Sequence, residues 1–545
     1  MNLNSLRALV RRDSSPLTVP GAAFRRRATG ALAVALLGGL AACEKSTPPA
    51  PPPPPQAKAD AGDPGAAAAA KPQTVTLIVT GGVGGQLLPE GEGAPAKAGA
   101  AEALGRWVAE EKHCAGPVNA EGQAACGAGA TTLVLGTGDH WNGPAISSFF
   151  VGETTSAVMA RMGYAASALG NHELDFGREQ FLRNAKAGQF PFLAANLKVK
   201  DAAVAKDMEL PAFKVFDRKG LKVGVVGLTS PKTVTTSMAG RVEGLEMIGT
   251  EEALASAVPE ARKAGAELVV VLVDTCPTEL QPTVEKHPEW KLALVAGGRC
   301  PQPVNTKAGE TQLVSLDRGF GKYLRAQVTF DPSKPAGEKV TQMVSQVAEV
   351  TGGAAAPDAE TAQLIAGFKT ELDKRLGEQI GFTKAGIKQN SPEMVRWLGG
   401  AMRSRLEGAD GVLINRKGIR QDLPAGPITL GSIYSVLPFE NSLMLVKVKG
   451  DALAQQLANP EALMSGFAPA GKGKFKDSKG KPLDPKRDYM VGTVEYIYFG
   501  GDGFELEKLD PEPKETGMAW QTPVIEWTRE QETSEKKPLE KALPK

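Results

Sequence analysis

Histidine is scarce in this chain: four in 545 residues, His113, His140, His172 and His287. A two-metal hydrolytic centre built on imidazole would need nearly all of them to converge. Cysteine is scarce too, with five, which excludes a disulfide-dense scaffold. No sign of charge dominates: Lys+Arg 63 against Asp+Glu 61 leaves +2. That balance carries no electrostatic footprint for nucleic acid. What is present is apolar material, 42% of the residues. At this length it suffices for two or three domains with real cores and excludes wholesale disorder.

One longer apolar run exists, Ala28 to Ala42, preceded by Arg25-Arg26-Arg27 and ended by Cys43. It is too short to span a bilayer comfortably and is basic only in front, the pattern of a signal peptide. Leu40-Ala41-Ala42-Cys43 resembles a bacterial lipobox. Residues 1–43 are therefore expected to be a lipoprotein signal, with Cys43 lipidated. The expected location is the bacterial cell envelope, anchored to the membrane by lipid on the outer-membrane or periplasmic side. The alternative is an ordinary secretory signal with a chance cysteine. Residues 44–73 are Pro/Ala-rich, with the run Pro51 to Pro55, and read as an extended linker.

With Cys43 given to the lipid, four cysteines remain in an oxidising compartment, and an even count favours two disulfides. Cys114 and Cys126 bracket a Gly/Ala/Pro loop and form a natural local pair. That leaves Cys276 with Cys300.

From Thr74 the chain alternates short β-branched runs with helical stretches. The runs are Thr74–Thr80, Thr132–Leu135, Val223–Leu228, Leu268–Val273 and Leu292–Val295. Each is apolar, short and soon followed by Gly, Asp or Ser, as in strands covered on both faces with functional loops at their C-terminal ends. Thr311–Leu316 and Leu324–Phe330 are read as further strands. A first domain over 74–345 is expected, then a helical connector over 346–378, a second α+β domain over 379–527, and a charged, frayed tail over 528–545. His113 and His287 read as solvated surface residues, and His140 receives no role.

Two motif sets carry a resemblance. The first is Gly136-Thr137-Gly138-Asp139, then Gly143-Pro144, then Gly170-Asn171-His172-Glu173 with Asp175. The second is Asn415 to Arg420, Gly426-Pro427-Ile428-Thr429, Val436 to Asn441 and Gly500 to Phe504. Together, in this order, they resemble the 5′-nucleotidases, from Thr74 to Trp527. The resemblance implies an α/β fold: a four-layered α/β/β/α metallophosphoesterase-like domain followed by a smaller α+β C-terminal substrate domain. In that family two divalent metals bind phosphate and activate a water, a His–Asp pair stabilises the transition state, and the second domain clamps a nucleoside base between aromatic rings.

Carried over by position, Asp139 and Asn171 fall on metal ligands, and His172 and Asp175 on the catalytic pair. The other ligands are missing. Gly82 and Gly84 stand where Asp and His are expected, Asp274 where a His is expected, and Arg299-Cys300-Pro301 where His-x-His is expected. Asp139, Asn171 and Asp274 offer oxygen alone, enough for at most one weakly held divalent cation. Arg299 brings a fixed charge that opposes a metal but can meet a phosphate, Asp139 or Asp274. The Gly81–Gly85 loop reads as a flexible relic, the alternative being backbone N–H groups offered to an anion. The resemblance places Cys276 and Cys300 at the vacated site as a disulfide replacing the metal cross-link, with free or metal-binding thiols as the rival. In the second domain Asn415, Arg420, Phe439, Tyr496 and Asp502 fall on substrate positions, whereas the family's first substrate Arg becomes Asn390.

The expected function is a 5′-nucleotidase-family envelope lipoprotein with degenerate catalysis and a nucleotide or nucleoside ligand, the protein partner being unnamed. The alternatives are an active metal-dependent phosphoesterase and an envelope scaffold.

Overall fold

The computed structural model describes residues 71–544 apart from 90–96, 120–121, 125, 238, 352–354 and 440. The signal peptide, Cys43 and all but the last three residues of the 44–73 linker lie outside the described residues.

The first domain is built on two six-stranded sheets. In one the strand order is Val340–Glu349, Lys322–Phe330, Gln73–Thr80, Thr132–Gly136, Tyr164–Ala168, Phe192–Leu193. In the other it is Asn305–Ala308, Thr311–Ser315, Leu294–Gly297, Leu268–Val273, Leu221–Leu228, Phe213–Arg218. The central strands of each sheet are parallel.

Period-two alternation explains the layering. In Leu268–Val273 every residue is buried. Leu268, Val270 and Leu272 join the core between the sheets, while Val269, Val271 and Val273 face the helix layer. The helix Thr250–Lys263 answers with Ala253, Leu254, Ala257, Val258 and Ala261, the spacing of one helical face. On the other side Ala100–Glu111 and Glu153–Arg161 cover the first sheet. The result is the expected α/β/β/α stack.

Several expectations need correction. The strand Val340–Glu349 pairs with Lys322–Phe330, so the boundary expected at 345 falls inside a sheet and the connector is shorter. Its helix, Ala359–Leu376, is capped by the Asp358 side chain and touches helices of both domains. The strand expected at Leu292–Val295 runs instead over Leu294–Gly297. His113 is buried, not solvated. Its Nδ1 and Nε2 meet Thr132 Oγ1 at 2.8 Å and the Met162 carbonyl at 3.0 Å. Burial outweighs that carbonyl bond and pushes its pKa down to about 4. Cys114 and Cys126 are free thiols rather than a disulfide. The Cys126 N–H donates to Cys114 Sγ at 3.0 Å, so the sulfur acts as an acceptor.

The second domain centres on a five-stranded sheet ordered Ala462–Ser465, Gly411–Asn415, Asp488–Val494, Ser442–Lys449, Lys514–Ala519. Pro392–Arg405 starts on a Ser391 cap with Pro at its first turn and buries Trp397 and Leu398 in the core. The tail expected to fray from 528 is docked. Thr533 Oγ1 accepts from the Phe382 N–H at 2.7 Å, and Glu540 accepts from Thr383 and Ala385 at 2.9 and 2.7 Å. Leu539 is fully buried. A threonine thus satisfies a strand N–H, and a glutamate the hydroxyl and N–H at the strand's end, instead of remaining in water.

Candidate functional site

Loops after the parallel strands of both sheets converge. After Thr132–Gly136 the chain turns through Gly138 and through Asp139, which adopts a left-handed φ of 59°. Glu173, fully buried, accepts from the N–H groups of Asp139, His140 and Gly170 at 2.9, 2.6 and 2.7 Å. One carboxylate therefore pins two loops together. Burial, then the Asp139 charge, push Glu173 up to about 8 against those donors.

Asn171–Leu174 forms a single 3₁₀ turn that presents His172. His172 N–H donates to Asp139 Oδ1 at 3.1 Å, and its Nδ1 lies 2.7 Å from Asp175 Oδ2. Asn142 Nδ2 donates to the same Asp175 oxygen at 2.7 Å, and Arg241 donates to the Asp175 carbonyl. The carboxylate at Nδ1 fixes the ring and leaves Nε2 for the cavity.

The second sheet supplies a cation. Arg299, at a left-handed φ of 59°, pairs with Asp139 at 2.6 Å and Asp274 at 3.4 Å, and donates to Asn171 Oδ1 at 2.9 Å. A guanidinium thus occupies all three residues expected to hold a metal. Burial opposes the Asp139 charge, but Arg299, then His172, outweigh it and hold the carboxyl well below the usual range. Asp274 moves the other way, raised by burial and by the charge of Asp139. Asp139 in turn holds Arg299 protonated. Cys276 and Cys300 form a disulfide, with Cα atoms 4.7 Å apart, that closes the same two loops.

A second arginine fills the place of another expected ligand. Arg318 Nη2 donates to the Gly84 carbonyl at 2.9 Å and to the Asn142 carbonyl. A Cβ on Gly84 would lie 1.6 Å from Arg318 Nε. The Gly81–Gly85 loop is neither loose nor anion-binding: Gly84 and Gly85 N–H groups donate to the Asp139 and His140 carbonyls at 3.0 and 2.7 Å. Among the described residues no group of three or more His, Cys, Asp or Glu could hold a metal ion. The donor set does not fit the family's metal pair, since its remaining oxygens are spent on Arg299.

The second domain closes the site. Asn415 Nδ2 donates to Asp502 at 2.7 Å, and Lys417 pairs with Asp502 at 3.2 Å and Glu461 at 3.0 Å. Arg420 lies 5.5 Å over the Phe439 ring, whose centroid is 5.9 Å from that of His172. Tyr496 is positioned by its N–H on Asn441 Oδ1 at 3.2 Å. One cavity of about 500 Å³ is lined by Asp139, Asn171, His172, Asp175, Asp274 and Arg299 from the first domain and by Asn415, Arg420, Phe439, Tyr496 and Asp502 from the second. Every residue singled out for chemistry or substrate therefore meets in one place.

Asn390 does not line it. His140 is buried away from it, accepting from the Val83 N–H and bonded to Ser167. Sequence reasoning missed Asn142, Glu173, Lys232, Arg241 and Arg318. Lys232 and Arg318 follow the ends of strands Leu221–Leu228 and Thr311–Ser315, and that rule would have marked their loops, whereas Arg241 sits on the short helix Ala239–Val242 and is marked by no strand end.

The C-terminal domain of the 5′-nucleotidases matches residues 379–508. The chain is 25% identical over 496 residues to the NAD 5′-nucleotidase of Haemophilus influenzae, spanning 72% of this chain and 80% of that protein. It is 24% identical over 459 residues to protein UshA of Escherichia coli, spanning 71% and 80%. A 5′-nucleotidase precursor from Thermus thermophilus shares the fold, with a TM-score of 0.69 at 23% identity, covering 85% of this chain and 97% of that one.

Proposed function

Because this chain belongs to the 5′-nucleotidase family, we propose that it is a member in which metal-dependent hydrolysis has been lost and the cavity is kept for a nucleotide or nucleoside. The observation that carries this reading is Arg299 on Asp139, Asn171 and Asp274. Two metals need several anionic or imidazole ligands each, and a nucleophilic water needs an ion to lower its pKa. A guanidinium has no empty orbital for a water and supplies neither role. His172 and Asp175 keep their geometry, but their part in the family is to stabilise charge on a group attacked by that water.

Binding is supported at the other end of the cavity. Phe439 and Tyr496 offer ring faces, and Asn415 and Asp502 a polar grip, the composition of a site for a flat heterocycle. The Asn415 Oδ1 is buried without a hydrogen-bond partner among the described residues, an unmet acceptor beside the cavity. The reading extends to location: a lipid on Cys43 and the 44–73 stalk would hold the folded part off an envelope membrane. Loss of fatty-acid labelling in Cys43→Ser would support the anchor, and labelling unchanged by it would remove it.

The test of lost catalysis is direct. The full-length protein is expected to purify without stoichiometric Zn²⁺ or Mn²⁺ and to leave AMP and cyclic nucleotides intact when these ions are added. Turnover that disappears in His172→Ala would overturn the reading and favour a residual phosphoesterase. Calorimetry with adenosine then separates a binder from a scaffold.

A further inference from the structure

The metal site that does not fit metals fits something else. We propose that Arg299 is the protein's built-in cation for an oxyanion, so that the phosphate of the cavity's ligand is received with no divalent ion present. This rests on the nucleotide reading above and specifies how that ligand's charged end is held.

Three observations carry it. First, the guanidinium is not saturated. It has five N–H donors. Nη2 serves Asp139 and Asn171, and Nη1 reaches Asp274 at 3.4 Å. Nε–H and one Nη1–H remain, and the side chain, 41% exposed, lines the cavity. Second, a further arginine faces the same space with no carboxylate within ion-pair distance among the described residues, although Asp139, Asp175 and Asp502 attract it from farther off. Among the described contacts Arg420 pairs with no carboxylate; it lies over the Phe439 ring and bonds the Lys417 carbonyl at 3.5 Å. Burial is the dominant cost on Arg420, only partly offset by the distant carboxylates, and an anion in the cavity would relieve it. Third, the carboxylates that would repel a phosphate are already engaged. Asp139 is bonded to Arg299 and the His172 N–H, and Asp175 to His172 and Asn142.

Planar forked donors suit phosphate oxygens in a way that a lysine would not. The same group also ties the three loops that metals would otherwise join. Arg299 is thus a binding residue and a cross-link at once, and neither role depends on metal.

Calorimetry of the full-length protein with inorganic phosphate, AMP and adenosine, all in EDTA, tests this. The expected result is that phosphate and AMP bind in EDTA, with AMP at least tenfold tighter than adenosine. Arg299→Gln should remove that advantage, and Arg299→Lys should restore part of it. An AMP advantage that needs added Mg²⁺ or Mn²⁺, or that survives in a folded Arg299→Gln protein, would overturn the proposal. Should that variant not fold, the wild type in EDTA decides: phosphate bound supports the proposal, and phosphate bound only with a divalent ion overturns it. Adenosine bound without any help from phosphate removes this proposal and leaves the nucleoside reading. Phosphate bound through Arg299 without adenosine binding does the reverse.

Discussion

The two ends of the cavity have diverged to different degrees. The second-domain end keeps Asn415, Arg420, Phe439 and Asp502 on the substrate pattern, with Tyr496 beside them. The first-domain end keeps four residues, Asp139, Asn171, His172 and Asp175, and replaces the rest of the pattern with two arginines, two glycines and a disulfide. The replacements are mutually consistent: Arg299 neutralises Asp139, Arg318 covers Gly84, and Cys276–Cys300 closes the loops. A site merely decaying would leave buried carboxylates unpaired, which is costly. On the proposed reading the first-domain end has instead been refitted, and the second-domain end retained.

That contrast can be broken or sharpened. The largest expected effect is the acid sensitivity contributed by two buried histidines of the first domain, which holds all four histidines. Burial lowers His113 to about 4 and His140 to about 3 from 6.5. The unfolded chain therefore binds protons below pH 6.5 that the folded chain refuses, and the stability present above 6.5 is lost as pH falls toward those values. At pH 5 the two rings together should cost about 4 kcal/mol, but Glu173, raised to about 8, and Asp274, raised by burial, act in the opposite sense. The rings are therefore read as the destabilisation between pH 7.5 and pH 5 that His113→Gln with His140→Gln removes from the urea midpoint. A pH response identical with and without the two substitutions would mean that neither ring is buried neutral.

Next is the disulfide. It closes a separation of 24 residues, and Cys276→Ser with Cys300→Ser should cost about 3 kcal/mol by urea unfolding. An unchanged midpoint would deny that the bridge replaces a metal cross-link.

Arg299→Ala leaves Asp139 buried without its cation. Because the arginine is partly exposed, the expected loss is about 2 kcal/mol, below that of a fully buried pair. Mn²⁺ should then raise the melting temperature of this variant and not of the wild type, because the freed oxygens of Asp139, Asn171 and Asp274 become available. Equal Mn²⁺ response in both proteins would mean that the guanidinium does not block the site.

The smallest effect lies at the retained end. Phe439→Ala should weaken adenosine binding by about 1 kcal/mol, roughly fivefold, while leaving phosphate binding in EDTA unaltered. A loss of both would show that the two ends are not separable.

Much of this was readable in advance. Short apolar runs marked the strands because sheets covered on both sides need every residue to be apolar. The motif residues marked the cavity because strand-end loops of parallel sheets meet there. Arg299 was visible as a charge standing where an imidazole was expected. Arg318 was not, because nothing in Asp317-Arg318-Gly319 says that its side chain turns toward Gly84. The buried state of His113 was hidden for the same kind of reason. Its polar neighbours suggested solvent, but its partners, Thr132 and Met162, are distant in the chain. The tail's charges suggested fraying because local composition does not reveal a strand 150 residues earlier whose N–H group Thr533 accepts.

The Arg318–Gly84 contact sets the direction in which this lineage can travel. Gly84 adopts a φ of 58°, which disfavours any side chain, and a restored imidazole would also collide with the guanidinium. No single substitution returns a ligand to that position: Arg318 must leave, the turn must relax, and Arg299 must be given up as well. On the proposed reading the contact works as a lock: an imidazole placed at residue 84 alone meets the Arg318 guanidinium before it can meet a metal.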